Sequence, residues 1–190
     1  MTIKSRRKRE EAQTQEQRFD ALFATHSRAV LAYAVRRSSD QDDAADVLAE
    51  TFLVAWRRVS DVPSGEGELM WLYGVARRVL ANQQRAERRR QRLAQGLGRE
   101  LSSALRTAAP AAADGHLVLE ALAGLELEDR EILLLAAWEE LSAQQIGAVL
   151  GITQIAARSR LHRARKRLQA ALGTAARTEG RNNLRTREAS

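Results

Sequence analysis

Leu141-Ser142-Ala143-Gln144-Gln145-Ile146-Gly147-Ala148-Val149-Leu150-Gly151-Ile152-Thr153 contains two helix starts and a helix stop. Ser142 stands where an N-cap belongs, and Gln145 completes the capping-box spacing. Leu150-Gly151-Ile152 reads as a tight turn in which Gly151 takes the left-handed conformation that closes a helix. Thr153 then caps a last helix running to about Leu172. On that helix Ala157, Leu161, Ala164 and Leu168 recur at helical spacing as a stripe to be buried, and Arg158, Ser159, His162, Arg163, Lys166 and Arg167 point away from it. A short capped helix, a glycine turn and a second capped helix is the pattern of a helix-turn-helix. Arginines near the start of its second helix are placed to reach guanine edges, and those further along to hold phosphates. Any solvated helix can carry charge, but here cap, turn, stripe and basic face agree. His162 has no partner His or carboxylate at metal-ligand spacing, so no metal is expected there.

Working outward, Glu128 to Trp138 with its run Ile132-Leu133-Leu134-Leu135 gives a preceding helix, and Leu117, Leu119, Leu122 and Leu125 begin the same domain. Thr107 to Gly115, with Pro110, reads as a linker, and Ser60-Asp61-Val62-Pro63-Ser64-Gly65-Glu66-Gly67 as a break between helices. Ahead of that break, Phe19, Leu22, Phe23, Val30, Leu31 and Val35 fall at helical spacing. A second helix is predicted from about Asp42 to Val59, with Ala45, Leu48, Phe52, Ala55, Trp56 and Val59 on its apolar side and Asp42, Asp43, Asp46 and Glu50 opposite. After the glycine loop, Leu69, Leu72, Val75, Ala76 and Val79 mark a third helix that continues into an arginine-rich segment. The expected organisation is all-α: a polar tail (1–14), a helical domain (15–92), a flexible linker (93–115), a second small helical domain (116–173) and a second polar tail (174–190). Both tails lack the apolar residues that offset ordering entropy and are expected to be disordered.

Composition narrows the function classes. The chain has 190 residues, a formal charge of +7 and no cysteine, which excludes disulfides and thiolate metal sites. No stretch approaches the roughly 20 apolar residues of a membrane span, and the basic start Met1 to Arg9 is followed by no apolar run, so no signal peptide is expected. A reducing cytoplasm suits this composition. The charges are segregated: Arg77 to Arg99 holds eight arginines against Glu87, Arg158 to Arg167 holds six basic residues and no acid, and Glu120 to Glu140 carries seven acids with one Arg. Such segregation points to a polyanion at some faces and a basic protein partner at others.

Four segments then resemble the extracytoplasmic-function group of bacterial sigma-70 family RNA polymerase sigma factors. They are Asp46-Val47-Leu48-Ala49-Glu50-Thr51-Phe52-Leu53-Val54-Ala55-Trp56, Trp71-Leu72-Tyr73-Gly74-Val75-Ala76-Arg77-Arg78, Asp129-Arg130-Glu131-Ile132-Leu133-Leu134-Leu135 and Ser159-Arg160-Leu161-His162-Arg163-Ala164-Arg165-Lys166-Arg167-Leu168, in family order. The resemblance implies two domains, a region 2 helical bundle that melts the −10 element and a region 4 helix-turn-helix that reads the −35 element. It assigns Asp46, Val47, Glu50, Thr51 and Phe52 to docking on the beta-prime clamp helices of core polymerase. Ser64, in the Ser60 to Glu68 loop, together with Trp71, Arg77, Arg78, Asn82 and Arg85, is assigned to the −10 strand, where a mix of cationic and aromatic groups suits unpaired bases. Gln144, Arg158, Ser159, His162 and Arg163 match the −35 reading positions. The implied partners are core polymerase, through the beta-prime clamp helices and the beta flap, and promoter DNA, with an anti-sigma factor as a further candidate. No cofactor, metal, membrane or small-molecule substrate is implied, and no catalytic residue. Departures exist: Arg78 and Asn82 stand where family members often have an Asn and an acid, and Gln154-Ile155-Ala156-Ala157 replaces the common Val-Gly-Thr-Val.

Two other classes fit parts of the chain. A dimeric helix-turn-helix regulator acting without polymerase explains the C-terminal half but leaves Asp46 to Trp56 and the arginine-rich helix without a purpose. A magnesium-dependent enzyme could use the Asp42/Asp43/Asp46 spacing, but no second aspartate-rich motif accompanies it, and P-loop and His-Glu-x-x-His motifs are lacking.

Overall fold

Strong helix formers with few breakers fold here into helices, and among the described residues there is no strand. The computed structural model describes residues 3–38, 40–95, 118 and 121–188. Its elements are α1 (Ile3–Val35), α2 (Gln41–Arg57), a 3₁₀ turn (Val59–Asp61), α3 (Gly67–Gln95), α4 (Leu127–Ala137), α5 (Ala143–Leu150) and α6 (Gln154–Glu188), with a further helical turn over 121–123. They divide into two units, Met1–Thr107 and Ala108–Ser190. The linker expected over 93–115 lies, beyond Gln95, outside the described residues.

In the first unit α1 packs on both α2 and α3, and α2 packs on α3. Asp40 caps α2 by accepting a hydrogen bond from the Asp43 amide at 2.7 Å, and Asp42 and Asp43 lie in the first turn, where the helix dipole favours acids. Tyr33 of α1 stacks on Tyr73 of α3 with ring centroids 4.9 Å apart. Tyr33, Val47 and Leu72 are fully buried, each worth about 1.5–3 kcal/mol of transfer free energy. Phe52 takes Phe19 and Phe23 edge-on at 6.2 and 4.8 Å, closing the end of the core between α1 and α2.

The α2 stripe differs from the one expected. Ala44, Val47, Thr51, Phe52 and Ala55 are buried; Ala45 and Trp56 are exposed, and Leu48 is half-buried. The small side chains of Ala44 and Ala55 let α2 approach its neighbours closely. Trp56 covers the edge of Phe19 at 5.1 Å while keeping 45% of its surface open. The helix also ends earlier than expected, at Arg57, and Val59 enters the core from the 3₁₀ turn.

The second unit is built on α6, which packs against α4 and α5. Ile132, Leu133, Leu134 and Leu135 are all buried, as are Ile146, Val149, Ala157, Leu161 and Ala164. Arg130 donates to the carbonyls of Leu122 (2.8 Å) and Ala123, closing the 121–123 turn against α4. Helix also covers most of the two expected tails, since α1 starts at Ile3 and α6 runs to Glu188. Extending a helix from an already packed segment needs no new nucleus, so residue types that cannot pack can still propagate it.

Candidate functional site

Three faces carry the residues singled out from the sequence. The first is the helix-turn-helix. Ser142 Oγ accepts from the Gln145 amide at 3.3 Å while Gln145 Oε1 accepts from the Ser142 amide at 2.9 Å, a complete capping box. Gly151 closes α5 at φ 69°, and the Ile152 amide donates to the Gly147 carbonyl at 2.9 Å. A Cβ on Gly147 would lie 2.8 Å from the Ile152 carbonyl oxygen, so the turn tolerates no side chain there. Thr153 Oγ1 then accepts from the Ala156 amide at 3.2 Å and starts α6. Each of these links is local, which is why the spacing in the sequence foretold them.

On α6 the stripe Ala157, Leu161, Ala164 is buried and Leu168 half-buried. Arg158, Ser159, His162, Arg163 and Lys166 are exposed, as is Gln144 in the first turn of α5. At about 100° per residue Ser159, His162 and Lys166 line the outermost strip, with Arg158 and Arg163 on opposite flanks. Arg167 is exposed as well, but it also has a partner inside the protein. Its guanidinium bridges to Asp129, buried on α4, and the hydrogen bond and charge of that carboxylate raise the guanidinium further above its ordinary value. Asp129 and Arg130 of the Asp129-Arg130-Glu131 segment are thus both spent on holding α4 in place.

The second face follows α3. Trp71, Arg78, Asn82 and Arg85 recur at seven, four and three residues and so share one line along the helix. Trp71 is half-buried, and the other three are exposed. Arg85 donates to Asn82 Oδ1 at 2.6 Å and to the Ala81 carbonyl at 3.2 Å. Arg77 stands apart, half-buried about a quarter-turn from Arg78. The Ser64 loop ahead of α3 is exposed but anchored on both sides. Arg18 of α1 donates to the Val62 carbonyl, and His26 of α1 meets Glu68 in the first turn of α3 at 3.0 Å. Arg58, which pairs with Asp61 at 2.9 Å, also brings its guanidinium 6.0 Å from the Trp71 ring. Arg18, His26 and Arg58 were not singled out in the sequence; their links to the loop and to α3 mostly cross tens of residues, and nothing in local spacing announces them.

The third face is the outside of α2. Asp46 and Glu50 are exposed, whereas Val47, Thr51 and Phe52, grouped with them for docking, are in the core. The helical period accounts for this split, because the arc of residues 46, 50 and 53 is centred roughly 130° around the helix from that of 47, 51 and 55, with Glu50 at its near edge. Leu53 and Trp56, both partly open, extend the exposed acids with apolar surface. Among the described residues no group of three His, Cys, Asp or Glu side chains could hold a metal ion, and no helix is long and apolar enough to cross a membrane.

Comparison with known proteins bears on the same elements. The sigma-70 region 2 model matches residues 22–90, and the sigma-70 region 4 model matches residues 116–168. The ECF RNA polymerase sigma factor SigL of Mycobacterium tuberculosis is 31% identical over 157 residues, 80% of this chain and 87% of SigL. The RNA polymerase sigma factor CarQ of Myxococcus xanthus is 34% identical over 159 residues, 82% of this chain and 89% of CarQ. Among solved structures, the sigma factor RpoE in complex with the anti-sigma factor NepR from Bartonella quintana superimposes with a TM-score of 0.63 at 27% identity, over 82% of this chain and 96% of that one. CnrH in complex with the cytosolic domain of CnrY gives 0.58 at 25% identity, over 86% and 94%. Two matched regions in this order, and relatives aligned across both, mean that the chain belongs to the extracytoplasmic-function group of the sigma-70 family of RNA polymerase sigma factors.

Proposed function

We propose that this sigma factor binds core RNA polymerase through the Asp46/Glu50 face of α2 and directs it to promoters whose −10 and −35 elements it reads itself. Asp46 and Glu50 meet basic residues of the beta-prime clamp helices, with Leu53 and Trp56 adding apolar contact; Val47, Thr51 and Phe52 act from the core by holding those groups in place. Ser64 and the Trp71/Arg78/Asn82/Arg85 line take the melted −10 strand, bases stacking on the indole and phosphates meeting the arginines; Arg77 flanks that line. Arg158, Ser159, His162 and Arg163 enter the −35 major groove, and Gln144 meets its edge. The second unit docks on the beta flap. The protein works in the bacterial cytoplasm as a non-enzymatic initiation subunit, without cofactor or small-molecule substrate. An anti-sigma factor is a further partner, a reading supported by the complexes in which RpoE and CnrH were solved.

The observation that carries this reading is the α3 line. An aromatic ring and cations set along one helix beside an exposed loop suit unpaired DNA, and a regulator that reads only duplex has no use for them. Run-off transcription from a randomised promoter library, with core polymerase and this chain, tests it. Core-dependent transcripts sharing −35 and −10 sequences, with permanganate-reactive thymines near −10, are expected. Tight duplex binding by the chain alone, without core-dependent transcripts, would mean a dimeric regulator instead.

A further inference from the structure

Ile155 is 83% exposed, the most open of the large apolar side chains among the described residues. It sits in the first turn of α6, just after Thr153, whose side chain and carbonyl accept from the amides of Ala156 (3.2 Å) and Ala157 (2.9 Å). Those bonds fix the backbone on both sides of Ile155, so its side chain is held where the helix begins. By helical period it stands on the strip of Ser159, His162 and Lys166, opposite the Ala157/Leu161/Ala164 stripe. Gln154 and Arg158 beside it are exposed as well. Single exposed apolar residues are ordinary on protein surfaces. This one, however, is left mostly open and is β-branched, which suits an exposed helix position less than alanine does. It is also the one large apolar group on an otherwise polar and cationic face, among the described residues.

Phosphates attract the cations of such a face, and base edges with donors and acceptors attract its polar groups. In the major groove, the apolar feature of a base pair is the C5-methyl group of thymine. First-turn residues of a recognition helix are the ones that reach base edges. We propose that Ile155 is a specificity residue of this protein, reading the C5-methyl group of one thymine in the −35 element. The proposal rests on the −35 role given to α6 above, so its test must fail separately from that role.

Holoenzyme reconstituted from core polymerase and the full chain is used first to select a preferred −35 sequence. Failure to obtain any −35 preference would sink the α6 assignment and this proposal with it. With a preferred sequence in hand, each thymine of the −35 element, on either strand, is replaced singly by deoxyuridine, which lacks only the methyl group. Wild-type holoenzyme is expected to lose roughly fourfold in affinity at one position, the size of one methyl group returned to water. Ile155→Ala holoenzyme should bind the thymine and deoxyuridine promoters equally there. The substitution lies at an open helical position and favours helix, so its fold is checked simply by circular dichroism. If −35 selectivity is present but no position responds to deoxyuridine, or if Ile155→Ala keeps the full response, Ile155 does not read a methyl group while the α6 assignment survives.

Discussion

Neighbouring residues on α2 divide into two kinds. Asp46 and Glu50 face solvent, and Thr51 is wholly buried with its Oγ1 lacking a hydrogen-bond partner among the described residues. Asp46→Ala with Glu50→Ala should leave the thermal unfolding midpoint nearly unchanged and weaken core-polymerase binding by on the order of 2 kcal/mol, read by titration against labelled core. Unchanged affinity would take the acids out of the interface. Thr51→Val should do the reverse, raising stability by up to about 1 kcal/mol, because it removes an unsatisfied buried hydroxyl at nearly constant volume. Its affinity for core should stay the same; a loss would mean that Thr51 reaches the surface when polymerase binds. At the Asp129–Arg167 bridge, one end is buried and the other open. Arg167→Ala strands the buried carboxylate, so it should lower the unfolding midpoint more than Asp129→Ala with Arg167→Ala, which removes both charges. The ordering is read by thermal denaturation. The raised guanidinium pKa contributes stability at every pH below its ordinary value, and that contribution fades only above it, so between pH 5 and 9 the bridge should add no pH dependence from the Arg167 side.

Among the elements, the helix-turn-helix was the most legible in the sequence, because caps, turn and stripe are set by residues a few positions apart. The start of α2 was less so. Two helical stripes compete there, one through Ala44, Val47 and Thr51 and the expected one through Ala45, Leu48, Phe52, Trp56 and Val59, with Ala55 common to both. Hydropathy favours the second, while packing buries the first together with Phe52, Ala55 and Val59, where small residues admit a close neighbour and the larger rings seal the edge. The candidate site divides along the same line. Positions on an exposed helical face could be read from the period, but not the side chains that cross from α1 to the loop or from α6 to α4. The two glycines of the turn give a test at this scale. Gly151→Ala pays only for a left-handed residue, about 1 kcal/mol, whereas Gly147→Ala drives a methyl into the Ile152 carbonyl and should cost about 1–3 kcal/mol. Because the turn sets the angle between α5 and α6, Gly147→Ala should also blunt −35 discrimination at temperatures where the protein is still folded, measured as the affinity ratio of preferred to scrambled −35 sites. Arg158→Ala should act differently. It removes a cation on the flank of the reading strip, near the start of the helix, and should lose roughly 1–3 kcal/mol on the best site and shift which base is preferred. If every site weakens equally, Arg158 holds a phosphate and the base contacts lie with Ser159 and His162.

For the whole molecule, the question is how the two proposed reading faces, one on each unit, add up. Each unit has its own core, Tyr33, Val47 and Leu72 in one and Ile132, Leu135 and Ile146 in the other. The stretch between them, residues 93–115, is rich in alanine. Two modules on a tether gain from each other only as far as the tether holds both at their sites together. On the proposed −10 role, the α3 line has a further handicap in the free chain, since the strand it takes must first be unpaired, at a cost of roughly a few kcal/mol per step. The free chain should therefore bind promoter duplex mainly through its cations, with a dissociation constant of roughly micromolar or weaker at physiological salt and a steep salt dependence. Its preference for the best promoter over scrambled DNA should be under about tenfold. Bound to core, which on the proposed function holds both units at their elements while region 2 opens the −10 strand, the same chain should discriminate by roughly a thousandfold or more. Fluorescence anisotropy on one promoter and its scrambled counterpart, with and without core and at several salt concentrations, measures both ratios. A free chain that already discriminates as well as the holoenzyme would show that the two faces need no polymerase to align them, and the division of labour argued here between the chain and its partner would have to be given up.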